Sequence, residues 1–264
     1  MEPSGVWVYA ITERVDPTPL AQIKGVGGRE IRTVAAAGLT AVAGDVGLAE
    51  FGEEALRRNL EDLDWLETTA RAHHGVIDAV AQQGPLVPMR LATMYSDDAR
   101  ITAMLTERAE DFRSALRRIS GRLEWGVKAY AERQPEASDD SAATAETSGP
   151  GGGVGAAYLQ RRRSQLTAQK NARRETLASA EMIHAELSQY AAETRVHAPQ
   201  APQLTGIKAP MILNAAYLLD SARGEEFAAA VAALADQHPG LRLELTGPWP
   251  PYSFAGTGGE GGLT

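Results

Sequence analysis

His73 and His74 form the one adjacent histidine pair in the sequence, and imidazole rings can bind a metal ion or transfer protons near neutral pH. Both lie in a segment with helical periodicity, where neighbouring side chains point about 100° apart, so the two rings do not readily bind the same ion. No HExxH motif or grouping of histidines with carboxylates supports a metal site. We therefore expect His73 to lie on the apolar helix face, and His74 to be exposed and to face Asp78. Neither a metal nor a cofactor is predicted.

The glycine-rich segment Gly25-Val26-Gly27-Gly28 is a second place where chemistry is conceivable, because such turns can bind phosphate groups. It lacks the GxxxxGK[ST] pattern, and it lacks the GxGxxG pattern that opens a helix. The chain also has no GxSxG motif and no serine, histidine and aspartate arrangement typical of nucleophilic catalysis. We predict a turn that precedes a strand, and no catalytic residue.

A basic stretch, Arg161, Arg162 and Arg163, stands out in an acidic chain of net charge −8. A general nucleic-acid binder should be basic, and aromatic side chains for base stacking are nearly missing from this stretch. The three arginines either form a solvated helix face or bind an acidic partner surface. We retain them as candidate partner-binding residues, and we do not expect nucleic acid as a partner.

The stretch LELTGPWPPYSFAG, residues 243–256, begins as an alternating strand and then meets three prolines around Trp249. Proline ends the hydrogen-bond ladder of a strand and stiffens the chain that leaves it. We expect Trp249 to pack back across the C-terminal domain as a structural plug. The alternative is docking to a partner, for which Tyr252 and Phe254 are the candidates.

Apolar periodicity predicts the elements that position these residues. Short β-branched and aromatic runs indicate strands at 6–11 and 39–46, and apolar spacings of three and four indicate a long helix from about Glu53, broken near Asp62. The cluster Ser96-Asp97-Asp98 is typical of a helix N-terminus, and the helix behind it reaches Ile119. The second half of the chain reads strand, insertion, helix, strand, helix, strand. We therefore expect an α+β fold in two domains.

We predict the domain boundaries from the composition and length of the chain. Residues 1–120 are predicted to form an N-terminal mixed α+β domain, and residues 121–254 a C-terminal modified ferredoxin-like domain. Residues 134–155 are rich in small, polar and acidic residues with almost no apolar bulk, and are predicted to be a disordered insertion. Residues 255–264 are predicted to be a flexible tail. The chain has no cysteine, no apolar run of about 18 residues and no signal-peptide pattern at its start, so we expect a cytoplasmic protein without membrane contact.

Eight short segments, spread over about residues 6–254, form a recognisable series. In chain order they are VWVYAI, LTAVAGDV, HHGVIDAV, PLVPMRLATMYSDD, LEWGVKAY, AAYLQRRR, LNAAYLL and LTGPWPPYSF. Each segment alone is weakly specific, but PLVPMR, LEWGVKAY and the proline-rich LTGPWPPYSF in this order are fairly specific. The series resembles the gas vesicle synthesis proteins of the GvpF/GvpL family.

The resemblance implies a non-enzymatic accessory protein that helps to assemble gas vesicles. Its implied partners are the hydrophobic gas vesicle shell protein and other accessory proteins, and its implied location is the cytoplasm, associated with the vesicle. The resemblance also implies two α+β domains, the second of them modified ferredoxin-like with a variable region. Two other functions stay open: a regulatory module that binds a small molecule, which predicts a concave pocket with converging polar groups, and an enzyme, which predicts a buried cluster of titratable residues.

Overall fold

The computed structural model describes residues 3–132, 154–200, 207 and 209–256. The predicted insertion over 134–155 lies outside this part of the chain, except for Val154 and Gly155, which instead begin a helix. Of the predicted tail over 255–264, only Ala255 and Gly256 are described. The chain divides into two compact units, one made of residues 1–124 and 248–264 and the other of residues 125–247.

The first unit contains an antiparallel sheet with the strand order β2-β3-β1-β4, and β5 also pairs with β1. The central strand β1 contains the predicted run VWVYAI, and all eight of its residues from Gly5 to Thr12 are buried. The turn between β2 and β3 places Ala37 and Gly38 at positive φ, as a two-residue hairpin turn requires. The strands are β1 (Ser4–Thr12), β2 (Arg32–Ala36), β3 (Leu39–Gly47), β4 (Val87–Pro88) and β5 (Met94–Tyr95).

The two helical stretches predicted for the first unit are present, with one difference, and two four-residue helices were not predicted. The break near Asp62 is confirmed, because the Asp62 side chain accepts hydrogen bonds from the backbone of Asp64 and Trp65 and so caps a new helix. The single helix predicted to reach Ile119 is instead two helices that meet at Arg108, where φ is −109° and ψ is 20°. The helices are α1 (Pro17–Leu20), α2 (Leu48–Phe51), α3 (Glu53–Asn59), α4 (Leu63–Ala81), α5 (Asp98–Glu107) and α6 (Ala109–Ile119).

The core of the first unit includes apolar side chains of β1, β3 and α4. Trp7 and Val42 from the sheet belong to the same buried cluster as Val76, Ile77 and Val80 from α4. These three α4 residues recur at helical spacing, which is the pattern expected of a helix with one apolar face. The cluster fixes the face of α4 that carries His73.

The second unit has the element order strand, helix, strand, strand, helix, strand. Its sheet has the strand order β7-β8-β6-β9, and β7 pairs antiparallel with β8. Its core contains Val127, Ile183, Tyr217 and Phe227. The elements are β6 (Arg122–Ala131), α7 (Val154–Ser188), β7 (Glu193–Val196), β8 (Met211–Asp220), α8 (Gly224–Gln237) and β9 (Leu241–Trp249). The first three residues of β6 and the last two residues of β9 belong to the first unit. Among the described residues, no helix combines the length and apolar character needed to span a membrane.

Candidate functional site

His73 is buried in the first unit and connects three segments of it. The indole Nε1 of Trp7 donates to Nδ1 of His73 at 2.9 Å, and Nε2 of His73 lies 3.0 Å from the carbonyl oxygen of Met89. Because an indole nitrogen is only a donor, Nδ1 must accept, and Nε2 carries the ring proton and donates it to Met89. Burial lowers the pKa of His73 to about 4, so the ring is neutral at pH 7. Its predicted place on the apolar helix face is confirmed.

The glycine-rich turn packs on the same core through Tyr9. The Tyr9 hydroxyl accepts a hydrogen bond from the backbone nitrogen of Val26 at 2.9 Å, and burial raises the pKa of Tyr9 to about 12. A Cβ atom on Gly25 would lie 2.3 Å from the Tyr9 hydroxyl oxygen, so only glycine allows this close approach. The Val26 N–H, which a phosphate-binding turn would offer to its ligand, is already used by Tyr9.

His74, the next residue on α4, faces the C-terminal segment. Its Nδ1 lies 3.2 Å from the Tyr252 hydroxyl oxygen, and its Nε2 lies 3.4 Å from Oδ1 of Asp78, which confirms the predicted pairing. The His74 ring stacks on Tyr252 and meets Trp249 edge-on, with centroids 6.2 and 5.5 Å away. Its side chain is 32% exposed, so His74 is less accessible than predicted. Burial raises the pKa of the Tyr252 hydroxyl, and the negative charge of Asp78 adds to the effect.

A double hydrogen bond holds the C-terminal segment on the first unit. The two carboxylate oxygens of Glu124 accept from the backbone nitrogen of Ser253 at 2.7 Å and from its hydroxyl at 2.6 Å. A guanidinium nitrogen of Arg118 donates to the carbonyl oxygen of Phe254. The Phe254 side chain is completely buried, which leaves it no surface for a partner.

The structure corrects the expected position of Trp249. We predicted that its ring packs across the C-terminal domain, whereas it belongs to the first unit, contacts His74 and is 43% exposed. Residues 248–254, which were predicted to belong to the C-terminal domain, belong to the first unit. The physical reason is that the stiff proline segment brings Phe254 to a buried position and Tyr252 to a half-buried position in the first unit, and burial of these large rings stabilises that placement.

Next to His74 lies an open, mainly apolar groove of about 530 Å³, which we call the Trp249 groove. Its apolar walls are suited to an apolar or aromatic side chain, and a carboxylate and a guanidinium among its lining residues could orient a polar group beside it. The lining residues are Ala70, His73, His74, Arg90, Leu91, Glu124, Trp249 and Tyr252.

The predicted arginines lie elsewhere. Arg162 and Arg163 are exposed on α7 of the second unit, and the side chain of Arg161 lies outside the described part of the chain. The structure thus assigns the arginines and the pair Tyr252 and Phe254 to different units. Within the described ranges, no three histidine, aspartate or glutamate side chains are grouped so that they could hold a metal ion.

Sequence reasoning missed Trp7, Met89 and Glu124 as parts of one site. Trp7 and His73 are 66 residues apart, and Glu124 and Ser253 are 129 residues apart, so no local spacing connects them. A signal was nevertheless present. Five of the segments that carry the family resemblance supply residues to this site, namely VWVYAI, HHGVIDAV, PLVPMRLATMYSDD, LEWGVKAY and LTGPWPPYSF.

Comparison with known proteins gives matches over nearly the whole chain. The sequence profile of the family "Gas vesicle synthesis protein GvpL/GvpF" matches residues 5–256. Gas vesicle protein L of Streptomyces sp. (strain CB03234) is 40% identical over 257 residues, which cover 96% of this chain and 94% of that protein. Gas vesicle protein F of the same strain is 26% identical, with 94% of this chain and 98% of that protein covered.

Solved structures share the fold. The crystal structure of GvpF from Microcystis aeruginosa has a TM-score of 0.66 at 18% identity, and covers 96% of this chain and 99% of that one. The crystal structure of GvpF from Anabaena sp. PCC7120 has a TM-score of 0.63 at 19% identity, with 96% of each chain covered.

Proposed function

The chain belongs to the GvpL/GvpF family of gas vesicle proteins, and from this we propose that it is a non-enzymatic accessory protein that binds the hydrophobic shell protein during gas vesicle assembly. The observation that carries the proposal is the family match over residues 5–256. Other accessory proteins of the same assembly are further proposed partners. We place the protein in the cytoplasm, associated with the vesicle.

The Trp249 groove is the contact site that we propose for the shell protein. An exposed tryptophan beside an apolar groove is typical of the residues that carry most of the energy at a protein interface. A hydrophobic subunit that waits for assembly needs such a surface to cover its apolar side chains. The net charge of −8 would keep the resulting complex dispersed.

We also infer that the two compact units are two domains, and that the second is a modified ferredoxin-like domain. Its element order is βαββαβ, and its strand order β7-β8-β6-β9 places the first and third strands of the unit in the middle of the sheet. Of the predicted docking residues, Arg161, Arg162, Arg163 and Tyr252 remain proposals. Phe254 does not, because it is buried.

Co-expression with a gas vesicle shell protein tests the proposal. We expect the shell protein to stay in the soluble fraction and to co-purify with this chain, and we expect Trp249→Ala to reduce its recovery. Met182→Ala is the matched control, because Met182 is also an exposed apolar side chain, 58% exposed, but lies in the second unit. A shell protein that stays insoluble with the wild-type chain would rule out direct binding, and equal recovery with both variants would rule out the Trp249 groove.

The same groove favours one second function, a regulatory module that binds a small molecule. Its apolar walls next to Arg90 and Glu124 are the arrangement expected of a site for a small ligand with one polar end. That function predicts that a metabolite raises the melting temperature of the wild-type chain but not that of Trp249→Ala. Binding of the shell protein without any such ligand would favour the assembly role.

A further inference from the structure

Helix α7 carries an exposed stripe of three basic and two leucine side chains. The residues follow one another at spacings of three, four, four and three, so they lie within about 80° of the helix circumference and extend over about 21 Å. All five are exposed, and the two leucines are each 43% exposed. We call this surface the α7 stripe; its residues are Arg163, Leu166, Lys170, Arg174 and Leu177.

The cations of the α7 stripe have no ion-pair partner among the residues that the structure describes. In the described part of the molecule, none of Arg163, Lys170 and Arg174 forms an ion pair. A helix that only needs to be solvated gains nothing from leucines placed among its cations. Apolar side chains at helical spacing, flanked by one sign of charge, are instead typical of a helix that docks on an acidic and apolar surface.

A surface of that chemistry exists in the first unit, where α3 ends and α4 begins. Residues 60–67, LEDLDWLE, contain four carboxylates and no basic side chain. Leu60 is 41% exposed and Leu63 is 76% exposed, the largest exposed fraction among the large apolar side chains that the structure describes as exposed. We call this surface the Leu63 patch; its residues are Leu60, Glu61, Leu63, Asp64 and Glu67.

The carboxylates of the Leu63 patch are only partly neutralised. Glu67 pairs with Arg71 one turn later on α4. Over the described residues, neither Glu61 nor Asp64 is in an ion pair. The patch therefore offers two exposed leucines together with two carboxylates that are available to cations from outside.

We propose that the α7 stripe of one copy of this chain docks on the Leu63 patch of a second copy. Leucines on both surfaces would lose contact with water, and the three cations of the stripe would face the carboxylates of the patch. The side chains of both surfaces are exposed, as a contact with a second molecule requires. The match of charge and of apolar character on one sequence is what selects a second copy as the occupant.

This contact is head-to-tail, because the two surfaces are different. Each added copy leaves one stripe and one patch open at the ends, so the assembly grows as a chain or closes into a ring rather than stopping at a two-fold dimer. One face of a helix is smaller than a standard interface of about 1,600 Å², and its ion pairs are exposed. The association is therefore weak, dependent on concentration and reduced by salt.

Sedimentation velocity of the full chain at rising protein concentration tests the proposal. The wild-type chain is expected to form species larger than a monomer at about 50 mM salt and to dissociate at about 500 mM. Reversing the stripe with Arg163→Glu, Lys170→Glu and Arg174→Glu should weaken the association about tenfold or more. Reversing the charge of the patch with Glu61→Lys and Asp64→Lys should weaken the association to a similar extent. Both sets of substitutions combined in one chain should restore the association.

The matched control reverses three exposed arginines outside both surfaces, Arg29→Glu, Arg100→Glu and Arg117→Glu, and so makes the same change in net charge as the stripe variant. This control should associate more strongly than the stripe variant. Two variants without a change in charge give a sharper result. The double variant Leu166→Ser, Leu177→Ser loses the stripe, the variant Leu63→Ser loses the patch, and each alone should stay monomeric. Their mixture should stop at one-to-one dimers, because the intact patch of the first variant binds the intact stripe of the second.

Three outcomes would overturn the proposal. The first is that the wild-type chain is monomeric at every concentration in low salt. This outcome overturns the proposal even if the stripe binds an acidic partner protein. The second is equal association of the stripe variant and its control. The third is failure of the combined charge reversal to restore association while circular dichroism shows that the variants are folded.

Discussion

The indole nitrogen of Trp7 donates to Nδ1 of His73 across 2.9 Å, in the interior of the first unit. Because Met89 binds the other ring nitrogen, the imidazole joins β1, α4 and the segment that follows β4. A protonated ring would carry a hydrogen on Nδ1 and would lose the Trp7 bond. The hydrogen bonds of the folded first unit therefore require the neutral form of His73.

The stability of the first unit should fall in mild acid because of His73. The pKa of His73 is lowered by burial from 6.5 in an exposed chain to about 4 in the folded one. Between these values the unfolded chain binds the proton and the folded chain does not, so stability is full above pH 6.5 and declines as pH falls towards 4. The decline amounts to roughly 3 kcal/mol. Urea unfolding at a series of pH values measures it.

Two variants separate this decline from general acid effects. His73→Gln should lose most of the pH dependence between 4 and 6.5, because the titrating group is gone. His74→Gln, one residue later on the same helix, should keep it, because His73 is intact. Equal pH profiles for His73→Gln and the wild-type chain would contradict the assignment.

Replacing Trp7 by phenylalanine should cost much more stability than the same replacement of Trp249. Trp7→Phe leaves Nδ1 of His73 without its donor in a buried place and opens a small void, and should reduce the free energy of unfolding by about 2–4 kcal/mol. Trp249→Phe changes a side chain that is 43% exposed, and should stay within about 0.5 kcal/mol. Denaturant titration compares the two, and similar losses would show that the Trp7 hydrogen bond does not set the difference.

Local patterns predicted α3, α4 and the helical stretch of α5 and α6 because their signals lie within a few residues. The α4 helix has its cap at Asp62 and its buried residues Val76, Ile77 and Val80 at helical spacing. Strand β7 was missed because Arg195 and Val196 are exposed at a sheet edge, so no apolar alternation marks it. The site itself depends on pairs such as His74 and Tyr252, which are 178 residues apart, and no periodicity encodes such a pair.

Two glycines should respond to alanine with opposite signs. Gly25→Ala places a methyl group 2.3 Å from the Tyr9 hydroxyl oxygen and 2.6 Å from Cδ1 of Ile31, and should destabilise the chain by about 1–3 kcal/mol. Gly75→Ala, within α4, meets no atom within 4 Å and should stabilise it by about 0.5–1 kcal/mol through helix propensity. Melting temperatures of the two variants test the pair, and a stable Gly25→Ala would mean that the turn does not pack tightly on Tyr9.

Glu124 should control how firmly the C-terminal segment is held on the first unit. Its two oxygens accept from the backbone nitrogen and the hydroxyl of Ser253, and hydrogen bonds to a charged group contribute about 1.5–3 kcal/mol each. Glu124→Ala should therefore speed amide hydrogen exchange over residues 249–256, whereas Ser253→Ala should have a smaller effect, because it removes the hydroxyl bond and keeps the amide bond.

The same exchange experiment connects this anchor to the proposed site. If the segment opens in Glu124→Ala, Tyr252 leaves His74 and the Trp249 groove loses one of its walls, so recovery of the shell protein should fall as it does for Trp249→Ala. Faster exchange with unchanged recovery would separate the anchor from binding. Exchange at the wild-type rate in Glu124→Ala would show that other contacts hold the segment, among them the bond from Arg118 to the Phe254 carbonyl.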